Sequence, residues 1–384
     1  MEWTHCRVSD LAEIISGGTP KTSIESYWNG NIPWLSVKDF SGDSKYVSST
    51  EKTITEEGLN HSAANLLDVN DIVISARGTV GELAMLSVPM SLNQSCFGLR
   101  PKCDADYLYY LLKIKVAELK QRANGGVFGT IIRTTFDSIK CTLPLELKDQ
   151  HRIASILSTY DTFIENNTKR IRLLEKMAEN LYKEWFVRFR FPGHENVEME
   201  NGLPKGWKRG SLSDVCEFKR GKNITSSEMQ EGNVPVISAG LEPSGYHSCS
   251  NVRGVNVTMS SSGANAGYIA IHYSDIWAAD CSYIEESTTG NIYYVYELLN
   301  NIRTVINNFQ RGAAQPHVYP KDVNRIKLIL PSKELMLKAN GRLEIMYKEI
   351  YNLQKQNSLL ARQRDLLLPR LMSGKLEVKE ELLE

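Results

Sequence analysis

The same series of short motifs occurs twice along the 384 residues, and this internal repeat constrains the fold more than any other feature. Each copy begins near a Trp, at Trp3 and Trp207. Four paired segments follow in the same order: residues 9–18 with 213–221, 31–37 with 233–239, 71–81 with 256–267, and 139–144 with 326–331. Two unrelated α/β domains would rarely share four segments in one order. The sequence therefore predicts a tandem duplication of one module.

The separation between paired segments changes along the repeat, which locates an insertion. It is 202 positions at Asn31 and Asn233, but 185 positions at Gly78 and Gly263. The first copy therefore has 17 additional residues between Val37 and Gly78. Insertions of this size are tolerated in surface loops.

Within each module, runs of β-branched residues interrupted by Gly, Pro and Asn predict strands and turns. The strongest predicted strands of the first copy are residues 32–37, 71–75 and 139–143. A helical segment at 106–122 precedes the last strand, and residues 293–309 are its counterpart. Each module is predicted to be α+β, with a mixed or antiparallel sheet rather than a Rossmann arrangement.

A long amphipathic helix is predicted after each module. The first spans residues 149–186, and Asn167 interrupts an apolar stripe of Ile153, Ile156, Leu157, Tyr160, Phe163, Ile164, Ile171, Leu174, Ala178, Leu181 and Trp185. The second spans about 335–368, with Asn357 in a stripe of Leu343, Met346, Ile350, Leu353, Leu360 and Leu367. This near-heptad spacing favours pairing of the two helices over each helix lying on its own module.

Length and composition indicate a soluble chain with two cores. The predicted modules are residues 1–147 and 193–332, and the helical regions are 148–192 and 333–384. The 45 Lys and Arg balance the 45 Asp and Glu, so one basic face is possible but a uniformly basic chain is excluded. Seven cysteines without paired spacing, no long apolar run and no signal peptide predict a cytoplasmic protein.

Motifs that would carry catalysis are missing from the sequence. It contains no GxxxxGK[ST], GxSxG or HExxH, and no N/D-P-P-Y/F tetrapeptide of the kind that amino-methyltransferases use. CxxC and HxxxH are also missing, so no metal site is expected. A nuclease built on acidic–lysine pairs such as Glu118 and Lys120 is the remaining enzymatic alternative, but such pairs are common on helix surfaces. The chain is predicted to hold no catalytic residue, metal or cofactor.

Polar, glycine-bearing loops recur at equivalent positions in the two copies and suit DNA recognition. Arg matches guanine edges, Asn and Gln match adenine, and Lys, Thr or backbone N–H groups match phosphates. The candidate DNA-binding residues are Lys21, Thr22, Lys38, Arg77, Thr79, Asn93, Gln94 and Arg133 in the first copy, and Lys219, Lys222, Ser261, Asn265, Arg311, Gln315 and His317 in the second.

Segments that follow the modules resemble conserved regions of the specificity subunits of type I restriction–modification enzymes. LPLELKDQHRIA at 143–154 and LYKEWFVRF at 181–189 resemble the central region of that family. LLPRLMSGKL at 367–376 resembles the C-terminal region, and GLPKGW at 202–207 resembles the start of a second recognition domain. The resemblance covers essentially the whole chain, and the motifs are specific in combination.

This resemblance implies an α+β fold with two pseudo-symmetric target recognition domains separated by an antiparallel coiled coil of two long helices. Each domain would recognise one half of a bipartite, asymmetric site in double-stranded DNA. The halves should differ, because Ser262 replaces Arg77, and Pro316-His317 replace Gly129-Thr130.

The resemblance also implies partner subunits that carry the chemistry. Modification subunits, two of them expected, would bind S-adenosylmethionine and methylate adenine, and restriction subunits would use ATP and Mg²⁺ to cleave. Trp185 and Phe186, at the end of the first helix, are the candidate partner-binding residues. The alternative is a tandem scaffold for a ligand other than DNA, such as a carbohydrate or a protein. DNA affinity that falls steeply with salt would separate these two functions.

Overall fold

The computed structural model describes residues 1–40, 44–123, 129–312 and 316–378, which form two compact units. The first unit contains residues 1–167 together with the chain from Gln356 onward, and the second contains Thr168–Lys355. Each unit combines one module with part of both long helices. The predicted limits, in contrast, separated the modules from the helical regions.

The first unit contains eleven strands in its described residues: β1 (Trp3–Arg7), β2 (Ala12–Ser16), β3 (Trp28–Leu35), β4 (Tyr46–Val47), β5 (Lys52–Ile54), β6 (Leu66–Leu67), β7 (Ile72–Ser75), β8 (Leu83–Leu86), β9 (Met90–Leu92), β10 (Cys96–Pro101) and β11 (Lys140–Pro144). Its module contains the helices α1 (Val8–Leu11), α2 (Glu56–Asn60), α3 (Ala105–Arg122) and α4 (Arg133–Ser138). The long helix α5 (Leu147–Tyr182) follows.

The second unit contains the strands β12 (Met199–Glu200), β13 (Leu203–Pro204), β14 (Lys208–Ser211), β15 (Lys219–Arg220), β16 (Val234–Ile237), β17 (Gly245–His247), β18 (Asn256–Ser260), β19 (Ile269–His272), β20 (Trp277–Ala278), β21 (Cys281–Glu285) and β22 (Lys327–Leu330). Its module helices are α6 (Glu286–Thr289), α7 (Ile292–Asn301), α8 (Arg303–Asn307) and α9 (Pro320–Val323), before the long helix α10 (Lys333–Met372). None of the helices in the described ranges has the length and apolar character needed to span a bilayer.

The sheet topology repeats between the units, which confirms the predicted duplication. The order β2-β10-β7-β8 in the first unit matches β15-β21-β18-β19 in the second. The parallel pair β3–β9 corresponds to β16–β20, and the antiparallel ribbon β1–β11 corresponds to β14–β22. Strands β4 and β6 and helix α2 all lie in the 37–78 segment, where the 17 additional residues were predicted.

The core of each module is a sheet covered by its module helix. In the first unit β7 is buried along its length, and Tyr107 and Tyr110 of α3 are buried beside it. In the second unit Tyr293 and Tyr294 of α7 have the same role. The predicted helix at 293–309 is wrong as a single element, because α7 ends at Asn301 and α8 begins at Arg303. Asn300 and Asn301 have low helix propensity, which favours a break there.

The long helices pair in antiparallel fashion within each unit. In the first unit Asp161 of α5 forms an ion pair with Arg364 of α10, and Asn167 donates to Gln356 at 2.8 Å. In the second unit Arg170 forms an ion pair with Glu349 at 2.8 Å. Farther along the second unit, Arg342 of α10 lies over the ring of Trp185, just beyond the end of α5. The residue number therefore falls along α10 as it rises along α5 in both units. The antiparallel pairing implied by the resemblance is therefore confirmed for each unit.

The seam of the first unit is more polar than the predicted stripe. Asp161 is 6% exposed, whereas Phe163, predicted to lie on the stripe, is 54% exposed. The buried side chains along this part of α5 are those of Ile153, Leu157, Asp161 and Asn167, which form the seam. Phe163 therefore lies on a different face of the helix, which is exposed. Asn167 also donates to Asn357 at 2.9 Å, and these buried polar contacts restrict the register of the helices.

A buried tyrosine–carboxyl pair joins each module helix to a long helix, with the residue types exchanged between copies. Tyr110 of α3 donates to Asp161 in the first unit, and Tyr347 of α10 donates to Glu297 of α7 in the second. Tyr110 and Glu297 are 187 positions apart, and Asp161 and Tyr347 are 186 apart, in agreement with the repeat. Burial is the largest effect on Glu297 and raises the pKa of its carboxyl to about 7.

We expect the second unit to lose stability as the pH rises through 7, because folded Glu297 keeps a proton that the unfolded chain has released. Its pKa rises from 4.5 to about 7 on folding. Each pKa unit corresponds to about 1.4 kcal/mol, so a contribution fully present below pH 4.5 is reduced by about 3 kcal/mol above pH 7. Urea unfolding at a series of pH values should show a smaller loss for Glu297→Gln than for the wild type. Glu334→Gln, at an exposed position, should behave like the wild type, and equal losses in all three proteins would contradict the assignment.

Candidate nucleic-acid interface

Four loop segments of the first unit meet at one end of its sheet and form what we call the first rim: residues 16–22, 76–80, 92–96 and 129–133. Backbone hydrogen bonds join them. Gly17 N donates to Cys96 O at 3.3 Å, Ala76 N donates to Ser95 O at 2.7 Å, and Ile131 N donates to Ala76 O at 3.1 Å. These bonds bring together segments that are separated by up to about a hundred residues in the sequence.

The second unit repeats this arrangement in what we call the second rim: residues 221–224, 260–266, 278–281 and 316–319. Its equivalent bonds are Gly221 N to Cys281 O at 2.8 Å, Ser261 N to Asp280 O at 3.5 Å, and Val318 N to Ser261 O at 3.0 Å. The two rims therefore share one backbone design, and their side chains can be compared position by position.

Close backbone packing explains why the first paired segment of each copy has a glycine at equivalent positions, Gly17 and Gly221. A Cβ atom on Gly17 would lie 1.9 Å from Asn93 O, and one on Gly221 would lie 2.4 Å from Ala279 O. Only glycine allows the first loop of each rim to pass so near its neighbour.

Most of the candidate residues of the first copy lie on the first rim with exposed side chains: Lys21, Thr22, Arg77, Thr79, Gln94 and Arg133. Asn93 is half-buried, and its Oδ1 accepts a hydrogen bond from Ser95 N at 3.0 Å. Lys38 is exposed in the turn after β3, outside the rim segments. Thr19, which the sequence did not single out, donates to the Gln94 side chain and joins two rim loops.

The candidate residues of the second copy are placed less uniformly. Lys219 and Lys222 are exposed on and beside β15, and Asn265 is half-buried. Ser261 is only 8% exposed, and its backbone joins two rim segments, which gives it a supporting position rather than a surface position. His317 forms backbone bridges with both Ser262 and Arg311. Gln315 lies outside the described residues.

The two rims present different chemistry at equivalent positions. Arg77 is exposed in the turn between β7 and β8, whereas its counterpart Ser262 is buried and donates to Asp280 Oδ2 at 2.5 Å. Asp280 corresponds to Ser95 in the first rim, since both backbone carbonyls accept the matching rim bond. A guanidinium suits the acceptors of guanine, while a carboxylate accepts from the amino group of cytosine. The rims are therefore suited to different base patterns.

Trp185 and Phe186, the candidate partner-binding residues, lie in the π-helical turn Lys183–Val187 after α5. They are 6% and 8% exposed. Phe186 packs against Tyr294 with ring centroids 4.9 Å apart and also contacts Trp207. Both rings belong to the core of the second unit, so their burial leaves little surface for a partner contact.

The described residues contain no group of three or more His, Cys, Asp or Glu side chains that could hold a metal ion. The polar groups of the rims are instead backbone amides, hydroxyls, side-chain amides and cations, together with the Asp280 carboxylate in the second rim. Such groups suit hydrogen bonding and charge pairing with a nucleic acid.

Comparison with known proteins identifies the family. The family model for the type I restriction modification DNA specificity domain matches residues 1–176 and 204–359, one region for each copy of the repeat. The two matches cover more than half of the sequence. The chain belongs to this family of type I specificity proteins.

Individual relatives agree with this assignment. The chain is 27% identical to the type I restriction enzyme MjaIX specificity subunit of Methanocaldococcus jannaschii, over 99% of this chain and 94% of the relative. It is 31% identical to the EcoR124I/EcoR124II specificity subunit of Escherichia coli over 51% of this chain and 50% of that protein. The crystal structure of the S subunit from M. genitalium has the same fold, with a TM-score of 0.62 and 19% identity over 97% and 96% of the two chains.

Proposed function

We propose that this chain is the DNA sequence-recognition subunit of a type I restriction–modification system and that each rim recognises one half of a bipartite, asymmetric site. The observation that carries the proposal is the repeated rim with different side chains. Two equivalent backbone frames present Arg77 at one position and the Ser262–Asp280 pair at the other. A duplicated reader within one chain can diverge, so the two half-sites need not be related by symmetry.

Partner subunits would supply the chemistry in this proposal. Methyltransferase subunits would transfer a methyl group from S-adenosylmethionine to adenine, and restriction subunits would cleave with ATP and Mg²⁺. The chain itself would position these subunits on DNA and catalyse neither reaction.

Exposed apolar side chains on the long helices support a docking role for the helices. Leu173 is 65% exposed in the second unit, and Leu359, 186 positions later, is 53% exposed in the first. Each leucine has a second exposed apolar side chain on the same helix face, Met177 beside Leu173 and Leu366 beside Leu359. An exposed apolar patch of this kind suits a contact surface. Because the two leucines are equivalent in the repeat, they are consistent with two copies of one modification subunit.

The proposal is tested by mapping methylated adenines in cells that express the chain with its modification subunits. We expect methylation within one bipartite motif, and the motif should disappear when the chain is removed. Arg77→Ala should weaken recognition of one half-site by about 1–3 kcal/mol, the typical discrimination of a bidentate base contact. The other half-site should stay the same.

Lys102→Ala is a suitable control for Arg77→Ala, because Lys102 is exposed after β10 at a distance from the rim segments. It should leave the motif unchanged. A wild-type chain whose removal changes no methylation would exclude the proposed function. An Arg77→Ala motif identical to the wild-type motif would exclude only Arg77 as a base contact.

A further inference from the structure

An open groove of about 850 Å³ lies beside the second rim. Strand β15 and the turn around α9 form its walls, and Tyr319 contributes an aromatic surface. The side chain of Asn324 fixes these walls. It accepts from Phe218 N at 3.0 Å and donates to Phe218 O at 3.3 Å, and its own backbone oxygen accepts from Ser213 N at 3.1 Å. The groove is therefore a built feature of the second unit.

Four cations line this groove: Arg220, Arg311, Lys321 and Arg325. Arg311 forms an ion pair with Asp322 at 2.9 Å, but its side chain remains 67% exposed. Within the described ranges Arg220, Lys321 and Arg325 form no ion pair, and all three are exposed. The acidic side chains that line the groove are Glu217 and Asp322, so its four cationic side chains outnumber its two carboxylates. The groove therefore has a positive surface although the whole chain is neutral.

The groove is continuous with the second rim. The ring of His317 stacks on that of Tyr319, with centroids 6.2 Å apart and an interplanar angle of 19°. His317 also forms backbone bridges with Ser262 and with Arg311. At the other wall, Arg220 precedes Gly221, which joins the rim through Cys281. A duplex on the second rim would therefore have its backbone close to the cations.

The positions of the first copy that are equivalent to Arg220, Lys321 and Arg325 lack this charge. Gly17 and Gly221 set a separation of 204 positions, and Ile131 and Val318 set one of 187. Arg220 thus corresponds to Ser16, Lys321 to Thr134, and Arg325 to Ser138. Arg133 is the one cation in residues 131–138 of the first copy.

We propose that this groove binds backbone phosphates of the duplex beside the second half-site, through Arg220, Arg311, Lys321 and Arg325. The inference rests on the proposed function, and it adds that the two units contact the DNA backbone to different extents. Phosphate contacts position a protein on DNA without reading sequence. The second unit therefore anchors the complex by charge, and the first unit depends more on its base contacts.

The test is the salt dependence of DNA binding by the assembled methyltransferase complex. The variant Arg220→Gln/Lys321→Gln/Arg325→Gln is compared with the wild type on a fluorescein-labelled duplex that contains the methylation-mapped site, over a series of KCl concentrations. Each lost phosphate contact should reduce the slope of log K against log[KCl] by about 0.9, so the full effect is about 2.7. The methylated motif should not change.

A matched control removes the same charge elsewhere in the second unit. Lys208, Arg209 and Lys327 are exposed on the ribbon β14–β22, and their triple Gln variant should keep the wild-type slope. An equal reduction in both variants, or none in the groove variant, would overturn the groove assignment. A groove variant with an altered second half-site would also overturn it, because the groove would then read bases. A wild-type complex that binds the duplex without salt dependence would instead count against the proposed function.

Discussion

Replacing Asp161 with alanine is expected to destabilise the first unit by about 3–5 kcal/mol, the typical cost of breaking a buried ion pair. Asp161 and Arg364 have side chains 5% and 8% exposed, and Tyr110 donates a second hydrogen bond to the same carboxylate. The variant leaves the buried Arg364 guanidinium with the exposed carboxylate of Asp365 as its remaining ion-pair partner, and leaves the Tyr110 hydroxyl without its acceptor. Native-state hydrogen exchange of the amides of α3 measures the opening free energy of the first unit.

Two further variants distinguish a broken pair from a general loss of packing. Tyr110→Phe/Asp161→Leu/Arg364→Met replaces the three buried polar side chains together. It should recover most of the lost stability, because apolar replacements of buried pairs are often neutral. Arg122→Ala removes an exposed ion pair with Glu118 and should cost less than about 1 kcal/mol. A loss for Asp161→Ala as small as that for Arg122→Ala would show that the buried pair contributes little.

Lengthening both long helices is expected to change the spacing between the two half-sites without changing either half-site. Four residues inserted after Asn167, and four more between Lys355 and Gln356, add about 6 Å to each helix. At about 3.4 Å per base pair this corresponds to nearly two base pairs. Four residues also rotate the helix by about 40° beyond a full turn, so a shift of one base pair is within the expected range.

Both insertions are needed because of the polar seam. Asn167 bonds to Gln356 on one side of the insertion points, and Arg170 pairs with Glu349 on the other. Paired insertions preserve both contacts, whereas a single insertion would shift one helix against the other. Methylation mapping of the assembled variant gives the spacing, and replacement of four residues at each point without a change of length is the control. An active variant with an unchanged gap would show that helix length does not set the spacing.

The duplication could be predicted from the sequence because the order and spacing of the paired segments are retained even where the individual residues have diverged. The strands at 32–37, 71–75 and 139–143 correspond to β3, β7 and β11, and the 17-residue insertion lies where β4 and β6 occur. The helix stripe was less accurate at Phe163, since apolar character alone cannot reveal that Asp161 is buried by a partner 203 positions away. Tertiary pairing decides which polar residues enter a core.

The candidate site was predictable in its loops but not in its individual contacts. Arg77 and Thr79 follow a clear strand and are exposed as a turn requires. Asp280 was not among the predicted residues because its place in the second rim is recognised through the hydrogen bond that it accepts from the Ser262 hydroxyl, a contact that only the structure shows. The basic groove was missed because Arg220 and Arg325 are about a hundred positions apart in the sequence. Hydrogen bonds of Asn324 with Phe218 and Ser213 bring their segments together in the fold.

The boundary between the two units inside both long helices has a genetic consequence. Thr168–Lys355 is one continuous stretch, so a single segment of a gene encodes the whole second unit. Exchange of that segment between related genes would replace one half-site reader and leave residues 1–167 and the seam from Gln356 onward intact. The recombination points would fall between the Asn167–Gln356 and Arg170–Glu349 contacts. Helix segments from two parent genes could therefore still pair if they carry matching residues at these positions. A new combination of half-sites could arise in one recombination event, without any point mutation in a rim.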